Sequence, residues 1–267
     1  TPNNWTSKKW ALSQAIDHSS GSIIIQTDGD CIPENGWILN MLAPFSNPEV
    51  IYNGINELLT GLVSFDEYLD LAECPEDCET VWGKRKRTSL NPTDPASFEL
   101  MKSLYEELLP NFSSKYFNIG GDETVELCLG KSKEECEKLG KGHVYLNYLT
   151  KLNEEVNKQG KLAQFWGDII LNHPELISEI PKNMTAVVWG YDATYPFDEN
   201  LPKFKNAGLE FYVCPGTSTW RSEIGRNTNA FENLKNAAIE GQKNNAKGFL
   251  NTNWGDFGHF QPLSVTY

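Results

Sequence analysis

The apolar residues of this chain follow two spacings, one typical of amphipathic helices and one typical of short buried strands. Helical spacing covers residues 97–109, 144–158 and 230–243. Short apolar runs that end abruptly occupy residues 116–119, 161–166, 185–189, 209–214 and 248–254. Strands that alternate with helices in this way predict βα repetition around a parallel sheet.

Each of these five runs ends in an aromatic, polar or acidic cluster. In a doubly wound sheet, functional residues gather at the point where the strand order reverses, whereas every strand end of a (β/α)8 barrel contributes to one mouth. Five successive strand ends with aromatic, polar or acidic residues therefore favour the α/β barrel class.

The amino-terminal part of the chain predicts a separate βα unit. A helix is expected from Ser7 to His18, followed by a strand from Ile23 to Thr27 that leads into a polar loop. Between residues 53 and 87 the pattern becomes irregular, and we place a boundary there. The predicted domains are 1–56 and 57–267.

Composition indicates a folded globular protein, and charge narrows the range of partners. The chain has 267 residues, of which 39% are hydrophobic and 22% charged, and its formal net charge is -13. This acidity argues against nucleic acid as a partner, because a phosphate backbone needs a basic surface. The basic run 84–87 is interpreted as a solvated loop. No apolar stretch approaches the roughly 20 residues that span a bilayer, so no membrane segment is predicted.

Six cysteines are scattered through the chain. Cys74 with Cys78, and Cys128 with Cys136, are close enough in sequence to form disulfides in an oxidising compartment. Free thiols are the favoured interpretation, because a chain of this length does not depend on disulfides.

The most specific chemistry lies at the strand ends. Gly120-Gly121-Asp122-Glu123 places two carboxylates where a strand gives way to a loop, and the glycines allow a sharp turn. Aromatic faces beside carboxylates suit a pyranose, whose C–H face packs on indole while its hydroxyls need acceptors. The strand ends that supply such residues contain Trp166, Asp168, Trp189, Tyr212, Trp254 and Asp256.

From about residue 65 to 267 the chain resembles glycoside hydrolase family 20, the β-N-acetylhexosaminidases. The motif Asn118-Ile119-Gly120-Gly121-Asp122-Glu123 and the order of the later aromatic residues carry the resemblance. It implies a partial (β/α)8 barrel with about strands 4–8, and retaining hydrolysis of terminal β-linked N-acetylglucosamine or N-acetylgalactosamine.

The resemblance also assigns roles to individual residues. Glu123 is expected to act as general acid and then base, with a pKa raised by burial and by Asp122. Asp122 is expected to orient the substrate's own 2-acetamido group, which replaces an enzymic nucleophile. Trp166 and Trp189 are expected to form the walls of the acetamido pocket, and Tyr212 to donate a hydrogen bond to the acetamido oxygen. Trp254 is expected to stack under the sugar ring, and Asp256 to accept hydrogen bonds from its outer hydroxyls.

Two features depart from that family. Its three earlier strands, which help to hold the terminal sugar, are not recognisable here. Residues 1 to about 53 instead resemble a fragment of a family 2 glycosyltransferase, with a short βα piece of a Rossmann-type domain. In that family a D-x-D pair binds a divalent metal and a nucleotide sugar, and Asp28 and Asp30 match it.

The sequence therefore predicts a glycosidase acting on N-acetylhexosamine-containing oligosaccharides or glycoconjugates, without a cofactor. Two alternatives stay open. One is a metal-dependent nucleotide-sugar transferase, in which Asp28 and Asp30 would be the metal ligands. The other is an inactive chimeric carbohydrate-binding remnant, because the missing strands would leave the barrel open on one side.

Overall fold

A computed structural model describes residues 66–85, 87–220, 222 and 225–254. The predicted helix 7–18, the strand 23–27, Asp28, Asp30 and Asp256 lie outside these residues. The strands are β1 Cys78–Thr80, β2 Gly83–Arg85, β3 Tyr116–Asn118, β4 Leu162–Trp166, β5 Thr185–Trp189, β6 Glu210–Cys214 and β7 Gly248–Phe249. The α-helices are α1 Pro95–Leu108, α2 Lys133–Leu139, α3 Lys141–Lys158, α4 Asp168–Leu171, α5 Phe197–Asn206 and α6 Asn227–Lys243.

Strands β3 to β7 form one parallel sheet whose spatial order equals their order along the chain. The register pairs Phe117 with Ala163, and Ala186 with Phe211. Helices connect every successive pair of these strands. A sequential order without reversal is the topology of a (β/α) barrel rather than of a doubly wound sheet. The prediction of five barrel strands, a partial barrel, is confirmed.

The two faces of this sheet bury different side chains, because neighbouring residues of a strand point in opposite directions. Phe165, Val188 and Phe211 belong to the main hydrophobic core, which also contains helix residues such as Leu149 and Phe204. The other face carries a smaller cluster, formed by Trp166, Val187 and Cys214 with Trp189 and Leu250 packed against it. This second face holds the aromatic residues that the sequence singled out.

Helix α1 shows how local sequence sets an element boundary. The Asp94 side chain accepts a hydrogen bond from the Ala96 N–H and so caps the amino terminus. Pro95 occupies the first helical position, where its missing N–H costs nothing. Met101 and Tyr105 then bury one face of the helix.

No helix in the described part of the chain is both long and apolar enough to cross a membrane.

The segment before α1 differs from its prediction. Residues Cys78–Thr80 and Gly83–Arg85 form an antiparallel hairpin, so the basic run 84–87 begins inside a strand and not in a loop. Cys74–Cys78 and Cys128–Cys136 are disulfides, which corrects the interpretation of these four cysteines as free thiols. Cys214 is a buried free thiol.

Candidate active site

A cavity of about 610 Å³ opens at the carboxyl ends of the parallel strands. Asp122 and Glu123 line it after β3, and Trp166 and Trp189 line it where β4 and β5 end. Trp254 lines it after β7. The topology therefore brings strand-end residues that are far apart in sequence to one cavity, as the barrel prediction requires.

The turn after β3 has a backbone that few residues adopt. Gly120 and Gly121 have φ values of 80° and 93°, and Glu123 has 50°. A Cβ at Gly121 would lie 2.8 Å from the hydroxyl of Tyr145, which itself donates to the Gly121 carbonyl at 3.0 Å. Gly121 thus permits both the turn and this contact, and Glu123 adopts a left-handed conformation that is unusual for a glutamate.

Asp122 lines the cavity, and the charge of the nearby Asp168 acts on it. Burial raises the pKa of Asp122 to about 7, with further contributions from the charges of Asp168 and Glu123. Burial also raises the pKa of Asp168. Near neutral pH the site therefore retains a proton that an ordinary surface carboxylate would have lost.

Asp168 links the strand ends through hydrogen bonds. Its Oδ2 accepts the backbone N–H of Glu123 at 3.0 Å, and its Oδ1 accepts the indole N–H of Trp189 at 3.2 Å. These bonds, together with those from the N–H groups of Asp168 and Ile169, favour the charged form and partly oppose the effect of burial on its pKa. Asp168 is the first residue of α4, and its side chain joins that helix end to the ends of β3 and β5.

Tyr191 lies at the centre of an aromatic wall. Its ring stacks on Trp189 with centroids 5.1 Å apart and meets Trp220 edge-on at 4.9 Å. Its hydroxyl accepts the indole N–H of Trp254 at 3.1 Å. Burial raises the pKa of Tyr191, so its hydroxyl stays protonated. All four side chains line the cavity.

Three asparagines of α6 hold the loop that carries Tyr191. Asn233 is fully buried, donates to the carbonyls of Gly190 and Asp192 at 2.9 Å each, and accepts the Gly216 N–H at 3.0 Å. Asn229 donates to the Tyr191 carbonyl at 2.7 Å. Asn236 continues the same helix face and donates to the Tyr195 carbonyl at 2.9 Å. The aromatic wall is therefore fixed through its backbone as well as its rings.

Two buried glutamates fix the loop that follows the carboxylate pair. Glu73 accepts the Gly130 N–H at 3.0 Å and the Ser132 hydroxyl at 2.7 Å. Glu126 accepts the Ser89 N–H at 3.0 Å. The Cys128–Cys136 disulfide closes the same loop. The segment before α1 and the loop after Glu123 consequently form one hydrogen-bonded unit.

The structure brings five of the predicted site residues to the cavity: Asp122, Glu123, Trp166, Trp189 and Trp254. The side chain of Glu123 is exposed, in contrast to the burial expected from the sequence. Trp166 is 2% exposed, and its indole N–H has no hydrogen-bond partner among the described residues.

Tyr212 does not line the cavity formed by the described residues. The centroid of its ring lies 6.5 Å from that of Tyr116, the first residue of β3. The same ring covers Gly248, where an added Cβ would lie 2.4 Å from a ring carbon of Tyr212. The contact implied for Tyr212 stays a prediction. Tyr191 is the tyrosine that lies among the cavity tryptophans, and the aromatic cluster Trp189-Gly190-Tyr191 was the signal for it.

The fold and the site define a class: a (β/α) barrel domain with acidic and aromatic residues at the carboxyl ends of its strands. Residues 57–255 match the catalytic domain of glycosyl hydrolase family 20. The chain belongs to that family. The match leaves residues 1–56 uncovered, so it gives no support to the glycosyltransferase resemblance there.

Solved structures show the same fold. The chain is similar to the chitobiase of Flavobacterium johnsoniae, with 17% identity and a TM-score of 0.54 over 74% of this chain and 31% of that one. It is also similar to an inactive mutant of the exo β-N-acetylglucosaminidase from Vibrio harveyi, with 16% identity and a TM-score of 0.51 over 72% of this chain and 33% of that one. The chain thus spans about a third of these proteins. No curated protein sequence matches it.

Proposed function

We propose that this chain hydrolyses terminal β-linked N-acetylhexosaminides with retention of configuration, using the substrate's acetamido group as nucleophile. One observation carries the proposal: Asp122 and Glu123 line the same cavity as Trp166, Trp189 and Trp254. Family membership and the similarity in fold to a chitobiase support it.

In the proposed reaction Glu123 protonates the glycosidic oxygen as the bond from that oxygen to the anomeric carbon breaks. The acetamido carbonyl oxygen attacks the same carbon and forms an oxazolinium ion, while Asp122 accepts the acetamido N–H and stabilises the positive charge. Glu123 then takes a proton from water, which attacks the anomeric carbon and regenerates the acetamido group.

The electrostatics of the site agree with this division of labour. The raised pKa of Asp122 means that the neighbouring carboxyl groups hold a proton near neutral pH, which a general acid requires. Donation of the acetamido N–H to Asp122 favours the charged form of Asp122, so bound substrate displaces the proton from Asp122. The exposed position of Glu123 allows it to reach both the leaving oxygen and water.

The test is hydrolysis of 4-nitrophenyl N-acetyl-β-D-glucosaminide by the full chain and by Glu123→Gln, with the exposed helix residue Glu106→Gln as a matched control. We expect Glu123→Gln to lose at least about a hundredfold in kcat/KM and the control to keep the parent rate. 4-Nitrophenyl β-D-glucoside, which has no acetamido group, should not be cleaved.

Equal rates for Glu123→Gln and the parent would refute the assignment of the acid. Sugar binding without turnover by the parent would favour the carbohydrate-binding alternative.

A further inference from the structure

The hairpin β1–β2 carries an aromatic ring and a cation to the cavity. Trp82 occupies the turn and is 50% exposed. Arg85, at the end of β2, is also exposed. Both residues line the cavity that contains Asp122 and Glu123. The hairpin thus extends the site outward, from the buried strand ends to a rim in contact with solvent.

Arg85 differs from the other described residues of the cavity in its positive charge, and no described carboxylate pairs with it. Among the described residues that line the cavity, it is the one cation. No ion pair joins it to another residue of the described chain. The whole chain has a net charge of -13, so carboxylates are abundant. A guanidinium without an ion pair among the described residues is available to an anion from outside.

The neighbouring Lys84 provides an internal comparison. Successive residues of a strand point to opposite faces, and Lys84 does not line the cavity in the described part of the chain. Both basic residues belong to the hairpin and are exposed to solvent, but only Arg85 of these two lines the cavity. An effect confined to Arg85 would therefore arise from the cavity and not from general surface charge.

We infer that the hairpin forms a subsite for the sugar on the leaving-group side of the scissile bond, and that this sugar carries a carboxylate or sulfate. The inference rests on the proposed function, in which the terminal sugar occupies the buried side near Trp166 and Trp189. The next sugar then reaches the exposed rim. There the ring of Trp82 offers an apolar face to a pyranose, and the planar fork of Arg85 matches the paired oxygens of the anion.

Two trisaccharides with the same scissile linkage test this subsite. In one, N-acetylglucosamine is β1,4-linked to glucuronic acid, which is followed by N-acetylglucosamine; the other is neutral chitotriose. We expect Arg85→Gln to lower kcat/KM for the uronate substrate by roughly three- to tenfold, the range for an exposed charge-assisted contact. Chitotriose should be unaffected, Lys84→Gln should change neither substrate, and high salt should reproduce the loss in the parent.

Chitobiose sulfated on its reducing sugar distinguishes the two anions, because the substrate with the larger dependence on Arg85 identifies the preferred group. Equal losses on charged and neutral substrates, or no loss on either anion, would overturn the inference. If the parent cleaves none of these sugars, the proposed function fails separately. Calorimetric titration of the uronate trisaccharide then decides: weaker binding to Arg85→Gln than to the parent supports the subsite, and equal or absent binding refutes it.

Discussion

Asp122 is a carboxyl group that the folded chain holds in an environment unfavourable to its charged form. Substitution of Asp122 by asparagine keeps the shape of the side chain and removes the ionisation. We expect the variant to lose catalysis, because the amide cannot supply the negative charge proposed to stabilise the oxazolinium ion. We also expect it to be more stable than the parent at alkaline pH.

The size of this stabilisation follows from the pKa. The folded chain raises the pKa of Asp122 from 3.8 to about 7, through burial first and the charge of Asp168 second. Because the folded pKa lies above the unfolded one, the unfolded chain releases its proton first as pH rises. The stability that the protonated group allows is complete below about pH 4 and is lost as pH rises to about 7. At about 1.4 kcal/mol for each tenfold change in proton affinity, the full loss is about 4 kcal/mol.

Urea unfolding of the parent and Asp122→Asn at pH 4 and pH 8 measures this difference. The two proteins should have similar free energies of unfolding at pH 4, and the variant should exceed the parent by up to about 4 kcal/mol at pH 8. Asp198→Asn, at an exposed position of α5, is the control and should show no such divergence. A difference between parent and Asp122→Asn that is the same at both pH values would show that Asp122 is not held protonated by the fold.

Two further substitutions test the supporting contacts. In Asp168→Asn the side chain has one oxygen for the two N–H groups of Glu123 and Trp189, so the loss of one charge-assisted bond should lower kcat by roughly ten- to a hundredfold. Asp168 helps to raise the pKa of Asp122, so removal of its charge should also shift the acidic side of the kcat/KM-versus-pH profile to lower pH. If that side of the profile does not shift, Asp168 has a structural role alone. Asn233→Ala removes the three hydrogen bonds of a buried side chain and should lower the free energy of unfolding by about 2–4 kcal/mol in urea titrations. The partly buried Asn236→Ala should cost less, and equal costs would contradict the importance of burial.

The regular part of the fold was predictable because its strands are buried and apolar. The run 185–189 matches β5 at both ends, and 161–166 differs from β4 by one residue. The run 248–254 gives only a two-residue strand, β7, followed by a single bridge from Thr252 to Gly216. Asn253 of this run makes side-chain contacts instead of extending the strand: the hydroxyls of Thr217 and Thr219, which follow β6, both donate to its Oδ1.

The elements that were missed are exposed and charged, short, or interrupted by proline. Hairpin β1–β2 is exposed and charged, and its strands are three residues long. Helix α2 buries none of its residues completely. Helix α5 contains Pro202, which argues against a helix when only the sequence is known. These elements depend on tertiary contacts and disulfides, which local periodicity does not record.

In the candidate site, the sequence predicted where the strands end better than it predicted which positions along a strand line the cavity. Trp166 and Trp189 are the last residues of β4 and β5 and reach the cavity. Tyr212 is on the same face of β6 as Cys214 but two residues earlier, and it is not among the described residues that line the cavity. Tyr191 lies just past the end of β5 and folds back over Trp189. A shift of two residues along a strand displaces a side chain by about 7 Å.

The contacts of Glu73 with the loop after the carboxylate pair also determine when the site assembles. Glu73 bonds to Gly130 and Ser132 across 57 and 59 residues of sequence. Contacts that close such long segments cost more chain entropy than the pairing of β4 with β5, in which Gln164 and Thr185 lie 21 residues apart. The sheet is therefore expected to exist before the loop beyond Glu123 is ordered, and the loop to open before the sheet unfolds. Hydrogen exchange should then be faster at the amides of Gly130 and Ser132 than at those of β5.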